Sequence, residues 1–259
     1  MLSLSFSGFS NTEETDSQKG EPCGLFPVRS NGKWGFIDKG GNFVIYPQFD
    51  YAVGFSEGLA AVKIDGKFGF INKEGDFVIE PQLIYVTNFS EGLARVEVCD
   101  ELSGLNGKRG FIDKEGDFVI KPQFDYAHDF SEGLAAVVVG GKWGFINKEG
   151  EFVINPQYDY VTMFSEGLAP VVINDKFGFI NKEGKIVINP QFDEAGDFSE
   201  GLAPVAINDK CGYINKEGKI VINLQFDGAG EFSEGLAVVG IGEKYGVIDK
   251  TGKIVYLEK

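Results

Sequence analysis

Gly54-Phe55-Ser56-Glu57-Gly58 fits GxSxG, the pentapeptide in which hydrolases expose a nucleophilic serine on a sharp strand-to-helix turn with a histidine base in reach. No helical pattern follows it here. The chain's one histidine, His128, stands at a connector position held in other copies by Val53, Thr87, Thr162, Gly196 and Gly230. The Ser-Glu-Gly core also recurs at Ser90, Ser131, Ser165, Ser199 and Ser233, so a repeated turn accounts for the match and no enzyme is expected. A lone histidine at a variable loop position reads as solvated decoration. Without a second histidine or a thiol pair no zinc site is expected, and no other metal or cofactor motif is present.

Two families of carboxylates recur with the same spacing. Glu57, Glu91, Glu132, Glu166, Glu200 and Glu234 follow the serines, while Asp50, Asp125, Asp159, Asp193 and Asp227 close a PQFD-like segment. A ring of such groups would suit cations or a basic peptide. The competing reading is structural, because Asp and Ser ahead of a turn bond their own backbone.

Two departures from regularity carry the binding expectations. One is the insertion CDELSGLNG, residues 99–107, followed by Lys108 and Arg109 where other copies carry an aromatic residue or Cys. The other is a stripe of tyrosines, Tyr51, Tyr85, Tyr126 and Tyr160, replaced later by Glu194 and Gly228. Tyrosine is enriched at interface hot spots, so this stripe fits a protein or peptide partner, with a glycan as the alternative.

These residues hang on a repeat. Aligning the glycine after each aromatic gives Gly35, Gly69, Gly110, Gly144, Gly178, Gly212 and Gly246, a 34-residue period broken once by the insertion. Each unit reads as an antiparallel meander of three to four strands. The hairpins turn through segments such as NKEG, with Asn or Asp first and Gly fourth, the signature of a type I turn closed by a left-handed glycine. Proline donates no ladder bond, so the third strand should end near Pro47, Pro81, Pro122, Pro156 and Pro190. The glycine inside the aromatic strand marks close approach of a neighbouring backbone. The paired phenylalanines of the connector, such as Phe49 and Phe55, read as anchors between units.

Seven units are expected, at about 25–58, 59–92, 93–133, 134–167, 168–201, 202–235 and 236–259, in one domain over 23–259 after a flexible segment, 1–22. Neither end loses its apolar pattern: Trp34, Phe36, Ile37, Phe43 and Ile45 match Tyr245, Val247, Ile248, Ile254 and Tyr256. An open array needs polar outer faces at its ends, so a seven-bladed β-propeller is the expected fold and an open β superhelix the alternative. KWGFI, the glycine turn, PQFD and FSEGLA recurring in order resemble WG repeats, named for the pair seen as Trp34-Gly35 and Trp143-Gly144. That resemblance implies a β-rich, non-enzymatic binding or scaffolding module.

The charge of −15, from 24 Lys plus Arg against 39 Asp plus Glu, opposes nucleic acid or an anionic membrane as partner. Three scattered cysteines, Cys23, Cys99 and Cys211, fit free thiols, and no apolar run is long enough to span a membrane. A cytoplasmic location follows as the expectation.

Overall fold

A computed structural model describes residues 24–98 and 107–258. The segment 1–22, Cys23, Cys99 and nearly all of the insertion lie outside the described residues. The rest forms seven antiparallel sheets in chain order. Among the described residues the first has three strands, Phe26–Ser30, Lys33–Ile37 and Phe43–Phe49, and the other six have four. The extra strand of sheet two is Tyr51–Ala52, which pairs with Ala60–Ile64 of the following unit. The connector therefore opens the next sheet, and each unit is tied to its neighbour by main-chain hydrogen bonds.

The hairpin turns are as the residue types require. Asn72 Oδ1 accepts the amides of Glu74 and Asp76, and Gly75 closes the turn at φ 92°. Gly75 is needed for a second reason: a Cβ there would sit 3.3 Å from Ile45 of the preceding sheet, so the turn is a seat for that isoleucine. The glycine of the aromatic strand answers to its own sheet. A Cβ on Gly35 would lie 2.5 Å from the Ile45 carbonyl, where the register slips between the pairs Trp34–Phe49 and Phe36–Ile45. The same slip corrects the expectation for the prolines. The third strand runs through Pro47 to Phe49, because the bulge places the proline where no ladder bond is made.

Packing between sheets repeats six times. Sheets one and two share Phe36, Ile45, Phe49, Ala52, Ala60, Val62 and Ile71, all essentially buried, and five further clusters join the later pairs. Connector phenylalanines cap these clusters as expected, with Phe55 5.0 Å from Phe36 and Phe89 4.8 Å from Phe70. Each fully buried phenylalanine contributes roughly 1.5–3 kcal/mol of transfer free energy.

The count of seven agrees with the repeat. The expected join between first and last sheets is not found among the described residues, where no seventh cluster forms. Ile45, Ile79, Ile120, Ile154, Ile188 and Ile222 are each 3% exposed, whereas Tyr256 at the matching place in sheet seven is 60% exposed. In sheet one Phe26 is 44% exposed where Ala60 and its equivalents are buried. Tyr256 and Val247 replace the isoleucine and aromatic residue that make every internal contact, so the last face lacks the knobs of the others.

Candidate functional site

The recurrent carboxylates other than Glu234 are each taken up by an ion pair of the architecture. Glu57 accepts the Gly92 amide at 3.0 Å and the Lys114 ammonium at 3.3 Å, both from the next sheet. The same arrangement recurs at Glu91, Glu132, Glu166 and Glu200, the last meeting Lys250 at 2.8 Å. Asp50 takes Lys33 of its own sheet at 2.7 Å and the Asp65 amide of the next turn at 2.9 Å. Asp125, Asp193 and Asp227 do the same with Lys108, Lys176 and Lys210 and the amides of Gly140, Asn208 and Gly242. The lysine hydrogen bonds, followed by the turn amides, hold Asp50, Asp125 and Asp193 below the ordinary carboxylate pKa. The serine of GxSxG belongs to the same lacing. Ser56 Oγ donates to the Phe89 carbonyl at 2.7 Å, and Ser90, Ser131, Ser165 and Ser199 repeat that bond.

The tyrosine stripe is a different matter. Tyr51 lies between the rings of Trp34 and Phe68, at 5.9 and 6.2 Å. Tyr160 lies likewise between Trp143 and Phe177, at 5.9 and 6.3 Å. The residue before the conserved-spacing glycine and the connector tyrosine therefore alternate along one ribbon that crosses sheets one to five. Its tyrosines are 38–47% exposed. Both positions recur with the same period in the sequence, but that their rings meet depends on adjacent units packing across a sheet boundary.

At sheet three the ribbon changes character. Arg109, in the tryptophan's place, sets its guanidinium 5.5 Å from the Tyr126 centroid and pairs with Glu97 at 3.0 Å. Arg95 sits 5.6 Å from both Tyr85 and Tyr126 and reaches Asp129 at 3.3 Å. His128 stacks on Trp143 at 5.1 Å with an 18° interplanar angle. This corrects its reading as solvated decoration: an aromatic neighbour one rung away gives the imidazole a ring to lie on. Burial, then the Arg95 charge, pushes the His128 pKa down. Of the site residues expected from sequence, Tyr51, Tyr85, Tyr126, Tyr160 and Arg109 share the ribbon. Lys108 is drawn aside into the Asp125 pair.

Beyond Phe177 the ribbon loses its rings. Glu194 and Gly228 stand for tyrosine and Cys211 for tryptophan, and a cleft of about 940 Å³ opens between sheets six and seven. Pro204, Ala206, Ala229, Gly230, Glu231 and Tyr245 complete most of its lining. Burial, reinforced by Glu194 and Asp227, pushes the Cys211 thiol pKa up, which opposes thiolate chemistry there. No helix is long and apolar enough to cross a membrane among the described residues.

Among solved structures, similar folds include a eukaryotic initiation factor at 15% identity and TM-score 0.61, the match covering 91% of this chain and 73% of that one. Dihydro-heme d1 dehydrogenase NirN, in complex with DHE, is 13% identical with TM-score 0.54, over 93% of this chain and 64% of that one. KlHsv2 with loop 6CD replaced by a Gly-Ser linker gives 10% and 0.51, over 90% and 92%. At such identities the likeness is one of fold, a propeller-like succession of blades. No curated protein matches the sequence. The WG containing repeat matches residues 34–68, 68–98, 110–143, 143–177, 177–211 and 212–245, and the chain belongs to that repeat family.

Proposed function

We propose that this protein is a non-enzymatic binding scaffold that holds a protein or peptide segment along its aromatic ribbon. The observation that carries the reading is a row of half-exposed rings, fixed edge to face on a laced scaffold while nearly all of the recurrent polar groups are spent on structure. Tyrosine with two side-chain torsions offers large contact area at little entropic cost, and its hydroxyl remains available to a partner's backbone. The candidate contact residues are Tyr51, Tyr85, Tyr126, Tyr160 and Arg109. The regular exposed rings also favour a second reading, a glycan-binding module, because sugar faces stack on such platforms.

The chain's two tryptophans, Trp34 and Trp143, both lie in the ribbon, so intrinsic fluorescence reports on its occupancy. Peptide and oligosaccharide panels titrated against that signal separate the two readings. Tyr85→Ala with Tyr126→Ala should weaken the selected ligand about tenfold or more, in line with hot-spot tyrosines, while melting stays nearly unchanged. A large loss of stability would make these rings structural, and a response to sugars alone would replace the peptide by a glycan.

A further inference from the structure

The cleft between sheets six and seven occupies, position for position, the place that Arg95 fills between sheets three and four. In the repeat register Glu194 corresponds to Tyr85, Pro204 to Arg95, Cys211 to Arg109, Gly230 to His128, Glu231 to Asp129 and Tyr245 to Trp143. Between sheets three and four those positions are packed with two guanidinium groups and an imidazole lying on rings, with Asp129 and Glu97 as counter-charges. Between sheets six and seven the cations and most rings are gone. The carboxylate that would answer Arg95 is kept as Glu231, a second is added as Glu194, and Tyr245 retains a ring, 57% exposed. Neither glutamate has an ion-pair partner among the described residues.

The cleft is held open by backbone. A Cβ on Gly196 would lie 2.7 Å from Pro204 Cγ, so that wall tolerates no side chain. The Tyr213 hydroxyl donates to the Gly230 carbonyl at 2.8 Å and fixes the other wall. The lining is mostly apolar, with the two carboxylates as its charged groups. That is the environment a guanidinium uses well: a flat, weakly hydrated cation lies against apolar and aromatic surface while its edge meets carboxylate.

We propose that this cleft receives an arginine side chain from a partner polypeptide, repeating between chains the packing that Arg95 achieves within this one. The acidic chain, at −15, favours the encounter. Burial raises the pKa of Glu231, with Asp197 adding to the effect, so an incoming cation also relieves a like-charge contact.

The test uses the full chain and three probes of equal size: acetyl-Ala-Arg-Ala-amide, its lysine counterpart and its neutral citrulline counterpart. Amide chemical shifts are followed during titration. The expected result is saturable movement at Glu194, Cys211, Gly230 and Tyr245 with the arginine probe, about tenfold weaker binding for lysine, and none for citrulline. Glu194→Gln with Glu231→Gln should weaken the arginine probe about tenfold or more without lowering the melting midpoint, while Glu217→Gln, on a turn outside the cleft lining, leaves binding unchanged. Equal binding of citrulline, no saturable shift, or indifference to the double variant overturns the proposal. Equal binding of lysine overturns its guanidinium part. Because the reporters lie beyond both tryptophans, this outcome is read independently of the ribbon's occupant.

Discussion

Sheets three and four, and sheets six and seven, use one backbone and one repeat register to opposite ends. In the first pair the groove is filled from within, by Arg95, Arg109 and His128 on Tyr126 and Trp143. In the second, Pro204, Cys211 and Gly230 stand at those places and a cleft remains. The lacing below does not differ: Ser90 bonds Phe130 as Ser199 bonds Phe232, and Glu91 meets Lys148 as Glu200 meets Lys250. The contrast shows how a repeat protein varies its surface without disturbing its support. Residues whose side chains or missing Cβ atoms touch the next sheet are held constant, and those in the groove drift.

The largest effect should come from the shared support. Phe111→Ala empties a fully buried site beneath the filled groove and should cost about 3–5 kcal/mol in urea unfolding. Phe179→Ala, one interface before the cleft, should cost much the same, and a marked inequality would mean that the interfaces are not supported alike. Arg95→Ala removes the partner of Asp129 and should cost about 1–3 kcal/mol, because a half-buried carboxylate loses its cation. Free guanidinium-bearing probe should then bind beside Trp143 and quench its emission. Ser90→Ala and Ser199→Ala each delete one interblade hydrogen bond, for about 1 kcal/mol apiece.

Acidity probes the lacing of both regions at once. Asp50, Asp125, Asp193, Asp227 and Glu200 have folded-state pKa values below their ordinary ones, chiefly through lysine hydrogen bonds, and Glu166 is lowered by the same contacts against its burial. Groups depressed on folding stabilise the protein above their unfolded pKa and lose that contribution as pH falls through the folded value. The melting midpoint should therefore hold from neutrality to about pH 5 and drop below about pH 4. Asp197 and Glu231, raised by burial, work the other way, so their protonation adds stability as pH falls while the lacing weakens. A midpoint that rises through this acid range would contradict the structural role of the lacing.

Much of the fold could be read from residue types, because its constraints are local and repeated. Turn glycines at 41, 75, 116, 150, 184, 218 and 252 all adopt positive φ. The strand end at proline was misplaced because the bulge that accommodates it depends on pairing with Gly35, a relation between strands. The join of the ends turned on Tyr256 and Val247, residues apolar enough to look equivalent and differing in the shape that packing requires. At the candidate site, the tyrosines were legible as a stripe. Their interleaving with the Trp34 series, the place of His128 and the cleft were not read, since each depends on two positions of adjacent units meeting across a sheet boundary.

The most direct test exchanges the two grooves. In a chain carrying Arg95→Pro and Pro204→Arg, the guanidinium should be supplied from within between sheets six and seven and be missing between sheets three and four. Titration with acetyl-Ala-Arg-Ala-amide should then move the amide shifts of Asp129 and Trp143, and leave those of Glu231 and Tyr245 still. Shifts that stay at Glu231 and Tyr245, or that appear at neither place in a chain that melts normally, would contradict the equivalence of the two grooves.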